Sequence, residues 1–225
     1  MNSDRDKNIE NKKRIQNDIF EEGADLRKDL KFLGLTVNKG ADYQRAIQEE
    51  PNASVIFLEH LQKPYSQLTH ELIARTLAYS KVPIANEMLD VFESIENESV
   101  RWEIANTVLI LNKSAPKALK VDTSRLKVYF EDEKYQKSIS PFIEIISKHE
   151  GKESISFLCS LLDMKFESTT SERSIISATL IALGNLKAVD TLEKVRKFAS
   201  HSDSWIRGKA KSALKKIEKA KEQVK

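Results

Sequence analysis

The residues best suited to metal or nucleophilic chemistry in this sequence are four histidines and one cysteine. They are His60, His70, His149, His201 and Cys159. No histidine has a second one at the i,i+4 spacing that puts two metal ligands on one helix face, and Cys159 has no basic or histidine neighbour in sequence to activate a thiolate. We expect the histidines on the surface or in turns and the cysteine as a small buried hydrophobe. The sequence therefore predicts no catalytic residue, metal ligand or cofactor.

Four cations near the end of the chain recur at i,i+4 intervals and would share one helix face. They are Arg207, Lys211, Lys215 and Lys219. Such a stripe can lie along phosphates or an acidic protein surface. It can also form the polar outer face that the last helix of a repeat array needs, where lysines offset the helix dipole. The sequence favours capping over contact, and Glu218 and Glu222 beside the stripe would weaken a phosphate track.

An acidic ridge and two tryptophans are the other candidates for a partner-binding surface. The ridge consists of Glu87, Asp90, Glu93 and Glu96 at i,i+3 spacing. Like charges at that distance slightly destabilise a helix, and a basic partner would relieve the repulsion, although most such runs only face solvent. Trp102 and Trp205 each stand near the start of a predicted helix. They either anchor an interface or pack between neighbouring repeats.

The elements that position these residues follow an internal repeat of 31 residues. The run Ile73-Ala74-Arg75-Thr76-Leu77 reappears as Ile104-Ala105-Asn106-Thr107-Val108, and the apolar positions Thr179, Ala182 and Leu183 reappear as Ala210, Ala213 and Leu214. Each copy lies in an amphipathic helical window that follows another such window. The repeating unit is therefore a helix pair, and helix pairs at this interval stack into a solenoid.

These repeats resemble the HEAT family, in particular short bacterial repeats whose second helix carries an Ala-x-x-Ala-Leu signature. The residues that carry the resemblance are Ala210-Lys211-Ser212-Ala213-Leu214 and Thr179-Leu180-Ile181-Ala182-Leu183, with Asp203, Trp205 and Arg207 at the preceding turn. The resemblance implies an all-α fold, a right-handed superhelical α-solenoid of about five helix pairs with an N-terminal helical cap. It also implies binding of proteins or nucleic acids without catalysis.

Along the chain we predict a helical cap at residues 1–40 and a solenoid at residues 41–225, with the paired pattern starting at Pro51. Residues 113–150 break the period, and there we expect helices near 115–130 and 137–147 with an inserted turn at Glu131–Lys134. Insertions in solenoids go to loops on one face. Gly184 is predicted to end the helix that begins at Ile175.

Charge is distributed unevenly, although the formal net charge is only +3. Residues 45–112 carry five Lys and Arg against ten Asp and Glu, whereas residues 187–225 carry twelve against five. We expect neither a secretion signal nor a membrane span, because the N-terminal region is highly charged and no long apolar window occurs. Together with the single cysteine, this pattern favours a cytoplasmic protein.

Three hypotheses for function remain open at this level. The first is a non-catalytic protein-binding module, with a bacterial immunity protein that covers the active site of a toxin as its narrower form. The second is a nucleic-acid-binding protein resembling the HEAT-like alkylation-repair DNA glycosylases, which the acidic middle of the chain disfavours. The third is an accessory lyase or scaffold that acts on a chromoprotein. The oligomeric state is left open, and fold resemblance alone names no partner.

Overall fold

The structure, a computed structural model, describes residues 2–116 and 119–223, with side chains from Asn8 onward. Every regular element in those residues is helical and none is a strand, so the expected all-α class is confirmed. The chain forms two compact units, Met1–Lys120 and Val121–Lys225, which we call the N-terminal and C-terminal units. The predicted boundary at residue 40 lies within the first unit and stays a prediction.

The N-terminal unit is a two-layered arrangement of helices. Its helices are α1 (Asn2–Glu22), α2 (Ala24–Phe32), α3 (Gly40–Glu49), α4 (Ala53–Leu61), α5 (Gln67–Leu77), α6 (Ala85–Ser94) and α7 (Glu98–Ser114). In one layer α2 packs on α4 and α4 on α6, and in the other α3 packs on α5 and α5 on α7. We call α3, α5 and α7 the second helices of this unit. Phe57 and Phe92 are fully buried in its core.

Contacts between α5 and α7 fix their direction and register. Asn97 donates to the side-chain oxygen of Gln67 at 3.2 Å near the start of both helices. Farther along, the Thr107 hydroxyl donates to the carbonyl oxygen of Ala74 at 2.8 Å. Because these contacts advance together along both helices, α5 and α7 run parallel. The predicted placement of the buried residues Ile73 and Ile104 on adjacent parallel helices is therefore confirmed.

The C-terminal unit repeats this plan with shorter first helices. Its helices are α8 (Thr123–Val128), α9 (Ser140–Glu150), α10 (Ile155–Leu161), α11 (Thr169–Asn185), α12 (Leu192–Lys197) and α13 (Ser204–Glu222). Here α9, α11 and α13 follow one another as second helices, and α8, α10 and α12 each pack on one of them. Arg173 pairs with Asp203 and Lys216 donates to Asn185 at 2.7 Å, so α11 and α13 also run parallel.

Polar side chains at their N-caps determine where these helices begin. The side chain of Asn97 accepts from the backbone N–H groups of Ser99 and Val100, and that of Asp203 accepts from Trp205 and Ile206. These bonds satisfy backbone donors that a helix cannot satisfy itself. The hydrogen bond from Arg173, together with those cap bonds, lowers the pKa of Asp203.

We expect Asp203→Asn to remove part of the pH dependence of stability and keep the cap. The folded-state pKa of Asp203 is depressed, so its stabilising charge is fully present above the unfolded value of about 3.9 and is lost as pH falls through the folded value. Asparagine caps helices about as well as aspartate but carries no charge to pair with Arg173. Urea midpoints measured across the acidic range should fall less steeply with decreasing pH in the variant. Identical slopes for the two proteins would contradict this assignment.

The irregular region around the unit boundary differs from its prediction. In the described residues, the predicted helix at 115–130 is replaced by the shorter α8 at Thr123–Val128, because Ala115 before Pro116 is extended and α7 ends at Ser114. Residues 117–118, within that predicted helix, lie outside the described residues. The predicted helix at 137–147 is α9, shifted to Ser140–Glu150 with Pro141 in its first turn. The predicted turn at Glu131–Lys134 is built from the short 3-10 helices Tyr129–Glu131 and Glu133–Tyr135.

One helix, α3, was not predicted from the sequence. The paired pattern was expected to start at Pro51, but α3 precedes it and buries Tyr43, Ala46 and Ile47. Its buried residues Tyr43, Ala46 and Ile47 lie at helical spacing, but the helix is only ten residues long, so the repeated pattern is short. Packing of α3 on α5 supplies the stability that such a short helix lacks alone.

Candidate protein-binding faces

The basic stripe lies on the face of α13 that is equivalent, one repeat later, to the face of α11 on which α13 packs. Lys211 and Lys215 follow Leu180 and Gly184 by the repeat length of 31 residues. Leu180 and Gly184 are buried, and a Cβ added at Gly184 would lie 2.9 Å from the Cα of Ala213 in α13. At the same positions α13 carries exposed lysines. This register supports the capping role for Lys211, Lys215 and Lys219.

The charged residues of the stripe lie close to carboxylates, and its first residue bonds to two carbonyl oxygens of the preceding turn. Glu218 and Glu222 share a shallow surface with the three lysines, and Glu218 lies 3.4 Å from Arg196. Arg207 turns back and donates to the carbonyl oxygens of His201 and Ser202 at 2.7 and 2.6 Å. Arg207 therefore holds the turn before α13. The cations therefore do not form a continuous track. Glu218 and Glu222 lie beside the lysines, and Arg207 at the start of the stripe is bonded to the turn.

We expect the triple variant Lys211→Gln, Lys215→Gln, Lys219→Gln to keep the stability of the parent. Exposed charges contribute little, and the loss of i,i+4 repulsion opposes the loss of the favourable helix-dipole interaction. The free energy of unfolding from urea titrations should change by less than about 0.5 kcal/mol. A loss well beyond that value would mean that these lysines make a structural contact, against the capping role.

Both tryptophans are partly exposed, so neither is fully enclosed between neighbouring repeats. The exposed fraction of Trp102 on α7 is 43%, and that of Trp205 on α13 is 57%. The ammonium group of Lys209 lies 4.4 Å from the centroid of the Trp205 ring, a cation–π contact at an open site. Each tryptophan is left on the outward side of a second helix.

The acidic residues of α6 line a groove on the first-helix layer of the N-terminal unit. A groove of about 340 Å³ lies between α4 and α6. Glu87 and Asp90 line it on the α6 side, and Glu59 lines it on the α4 side. Glu93 is exposed but does not line it. The predicted ridge is shorter than expected, because α6 ends at Ser94 and Glu96 lies beyond it.

In the N-terminal unit, three large exposed side chains lie on α7 and in the turn that follows α5. They are Tyr79, Trp102 and Ile110. Trp102 and Ile110 lie two turns apart on α7 with Asn106 between them, and the Asn106 side chain donates to the carbonyl oxygen of Trp102. Arg75 of α5 pairs with Glu71 and with Glu103 of α7 across the same face. The result is an aromatic and aliphatic surface beside an ordered arginine.

In the C-terminal unit, the corresponding feature is a groove of about 510 Å³ between α9 and α11, which the sequence did not predict. Small residues form much of its lining, namely Ser140, Pro141, Ser147, Gly151, Ala178 and Ala182. Ile181 and Leu186 add larger apolar surface, and 41% of Ile181 is exposed. Glu144 and Lys148 of α9 pair at 2.6 Å beside the groove. Asn185 at its edge accepts a hydrogen bond from Lys216.

His60 is fully buried, so its expected surface or turn position is wrong. Its Nε2 lies 2.8 Å from Asp29 Oδ2 and 2.8 Å from Lys63 Nζ, and its Nδ1 lies 2.6 Å from the Tyr65 hydroxyl. The hydrogen bond from His60 lowers the pKa of Asp29, whereas burial raises the pKa of Tyr65 to about 12. The network joins α2, α4 and the turn after α4. A tyrosine with so high a pKa is a poor acid or nucleophile near neutral pH, so we interpret the network as structural.

The cysteine and the acidic and histidine side chains of the described residues form no reactive or metal-binding cluster. Cys159 is half-buried, not buried as expected, and its partial burial raises the pKa of the thiol, which disfavours the reactive thiolate. In the part of the chain that the structure describes, no group of three His, Cys, Asp or Glu side chains is placed to hold a metal ion. No described helix combines the length and apolar character needed to cross a bilayer. Comparison with protein-family models, curated proteins and solved structures gives no match for this chain.

Proposed function

We propose that this chain is a non-catalytic helical-repeat protein that binds another protein through the outward faces of its second helices. The observation that carries the proposal is the set of large apolar side chains exposed on those helices in both units. They are Leu68, Trp102, Ile110, Ile181 and Trp205, with Tyr79 in the turn after α5. Each of these helices also buries one side, at residues such as Ile104, Leu183 and Ala210. Tryptophan, tyrosine and arginine are the residues that most often dominate the energy of protein interfaces.

The finer architecture is part of the same proposal. We infer that the layered helices of each unit are turns of a right-handed, HEAT-like solenoid, with α1 and α2 as an N-terminal cap. The parallel register of α5 with α7 and of α11 with α13 supports this. A solenoid presents its second helices on one extended surface, which suits protein binding.

A narrower form of the proposal is a bacterial immunity protein that covers the active site of a toxin in the cytoplasm. Two features are compatible with it. The exposed face of the second helices is already formed in the free chain, and a single cysteine suits a reducing compartment. The test is co-expression with the product of the adjacent gene in a sensitive host. Growth arrest by that product alone and recovery on co-expression would support the narrower form. Absence of any toxic effect, or no recovery, would exclude this pair.

We expect Trp102→Ala and Trp205→Ala each to weaken binding of a partner isolated by affinity capture. Removing an interface aromatic typically costs at least 1–2 kcal/mol, which is about tenfold in Kd. The matched control is Phe32→Ala, because Phe32 is 80% exposed but stands on α2 in the other layer. Calorimetric titration of the purified partner measures all three. Equal losses for Phe32 and the tryptophans would place the contact elsewhere and overturn the proposed face.

Nucleic-acid binding is the alternative, and the exposed lysines of α13 are the observation that favours it. If Lys211, Lys215 and Lys219 each contact a phosphate, log affinity should fall with log salt with a slope of about −2.7 for duplex DNA. We expect no such binding at physiological salt, because Glu218 and Glu222 lie among the lysines. Fluorescence anisotropy with labelled duplex DNA at several salt concentrations measures this. Tight, salt-sensitive binding that the triple glutamine variant flattens would replace our proposal with the alternative.

A further inference from the structure

The groove between α9 and α11 differs from the aromatic face of the N-terminal unit in both shape and charge. Its lining of Ala178, Ala182, Pro141 and Gly151 brings the backbones of two helices close to the surface. Short side chains at such positions leave space for larger side chains from outside. The volume of about 510 Å³ lies within the range of roughly 300–1,000 Å³ typical of binding pockets.

The apolar contacts available in this groove come mainly from Ile181 and Leu186. Ile181 is a mid-helix residue, and its register partner on α13 is Ser212, one repeat of 31 residues later. The neighbouring face of α13 thus becomes polar while the groove stays apolar. An aliphatic side chain entering from outside would meet Ile181 and the methyl groups of Ala178 and Ala182.

The charged residues of the lining, Glu144 and Lys148, pair with each other, so Lys216 at the edge supplies the excess positive charge. Lys148 stands on the α9 side, where 59% of its side chain is exposed. Lys216 stands on the α13 side, exposed, and is held at the groove edge by its hydrogen bond to Asn185. Lys209 lies on the same face above Trp205. Glu144 is the acidic residue of the lining and is already paired with Lys148. The unit as a whole carries twenty Lys and Arg against fifteen Asp and Glu.

We propose that this groove binds a short amphipathic helix of a partner protein, with aliphatic anchors on one face and Asp or Glu on both flanks. The mode is a helix laid in a groove, in which anchors at i and i+4 enter the apolar floor. The flanking carboxylates would reach Lys148 on one side and Lys216 on the other. A basic helix of the same shape would meet these lysines with like charge, which costs binding and selects against it. The inference rests on the proposed protein-binding function and names the chemistry of its partner.

Selection from a displayed library of short helical peptides tests the occupant directly. The full chain is the bait, and the library is depleted first on Ile181→Glu, which places a carboxylate in the groove. We expect enriched peptides to pair aliphatic residues at i,i+4 with flanking Asp or Glu. Neutral or basic enriched peptides, or no enrichment, would overturn the proposal.

Matched variants then locate the site. Affinity of the best peptide for Lys148→Glu and Lys216→Glu should fall by at least about tenfold, as should affinity for Ile181→Glu. The control is Val128→Glu, because Val128 is 60% exposed at the end of α8 and does not line the groove. Circular dichroism of each variant should match that of the parent. Equal binding to Ile181→Glu and to the parent would place the peptide elsewhere.

Two further outcomes separate this proposal from the function it rests on. If a natural partner depends on Trp102 but not on Ile181, Lys148 or Lys216, the groove proposal fails and the protein-binding function stands. If sedimentation velocity shows a dimer of this chain that Ile181→Glu dissociates, the occupant is a second copy and the acidic helix is excluded. If the groove variants lose peptide binding and Trp102→Ala still weakens binding of the natural partner, the groove proposal and the protein-binding function are both supported.

Discussion

Replacing Gly184 should destabilise the C-terminal unit, even by the smallest possible change. A Cβ at Gly184 would stand 2.9 Å from the Cα and 3.1 Å from the Cβ of Ala213, closer than carbon atoms normally approach. Since the first of these atoms is backbone, relief requires moving α13 away from α11. Overpacking of this kind costs about 1–3 kcal/mol for small additions, so we expect Gly184→Ala to lose about 1–2 kcal/mol and Gly184→Val about 3 kcal/mol.

The matched control for this prediction is Gly208→Ala in α13. Nothing lies within 4 Å of a Cβ built at Gly208, and its φ is not positive. Alanine is the better helix former by about 0.5–1 kcal/mol, so this variant should be as stable as the parent or more stable. Guanidinium unfolding followed by circular dichroism measures both, and in a Trp102→Phe background the fluorescence of Trp205 reports the C-terminal unit. The same sign of effect at the two glycines would show that helix propensity, and not close packing, governs Gly184.

Removing the His60 ring should strongly destabilise the N-terminal unit. His60→Ala leaves a cavity where a fully buried side chain stood and removes the partner of the half-buried Tyr65 hydroxyl. Large-to-small core changes and unpaired polar groups each cost a few kcal/mol, so we expect a loss of about 3–4 kcal/mol. Urea titration of the full chain, followed by circular dichroism, gives the value.

Two smaller changes divide this effect between cavity and hydrogen bonds. Tyr65→Phe keeps the ring and removes only the hydroxyl that faces His60 Nδ1 at 2.6 Å, and it should lose about 1 kcal/mol. His70→Ala is the control histidine, because His70 is only half-buried and its ring nitrogen contacts the Lys63 carbonyl oxygen instead. A loss for His60→Ala no greater than that for His70→Ala would mean that the network contributes nothing special.

Much of the helical framework followed from local sequence. The 31-residue period placed Ile73 with Ile104 and Thr179 with Ala210, and all four are buried on second helices. Local signals are reliable in this chain because an amphipathic helix must bury its apolar face wherever it packs. Asp203 was likewise recognisable as an N-cap, since a cap depends on backbone groups two or three residues away.

Gly184 of α11 was singled out in the sequence as a helix end, but close packing explains why it is a glycine. Gly184 was expected to end its helix, but α11 continues to Asn185, and the residue with a positive φ is Lys187. Gly184 lies within the last turn of α11 and is small because Ala213 approaches it. The sequence marks a glycine, but only the distance to another helix distinguishes these two causes.

The buried histidine network carried a signal that was available in sequence and went unused. Asp29 and His60 are separated by 31 residues, the repeat length, so they occupy equivalent positions in adjacent first helices. Equivalent positions in adjacent repeats contact one another, as Asn185 and Lys216 also do. A carboxylate and a histidine at that separation predict a pair, although the burial of His60 depends on the turn that carries Tyr65.

The sequence by itself determined the all-α class, the helix-pair period and the polar caps, because each depends on residues close along the chain or on one repeated spacing. Only the tertiary structure decided which surfaces stay open. The groove between α9 and α11 exists because a helix from the region without periodicity packs beside a helix that follows the period, and no local pattern specifies that distance. The exposure of Trp102 and Trp205 was decided in the same way, since a side chain is buried or open according to which helices pack around it.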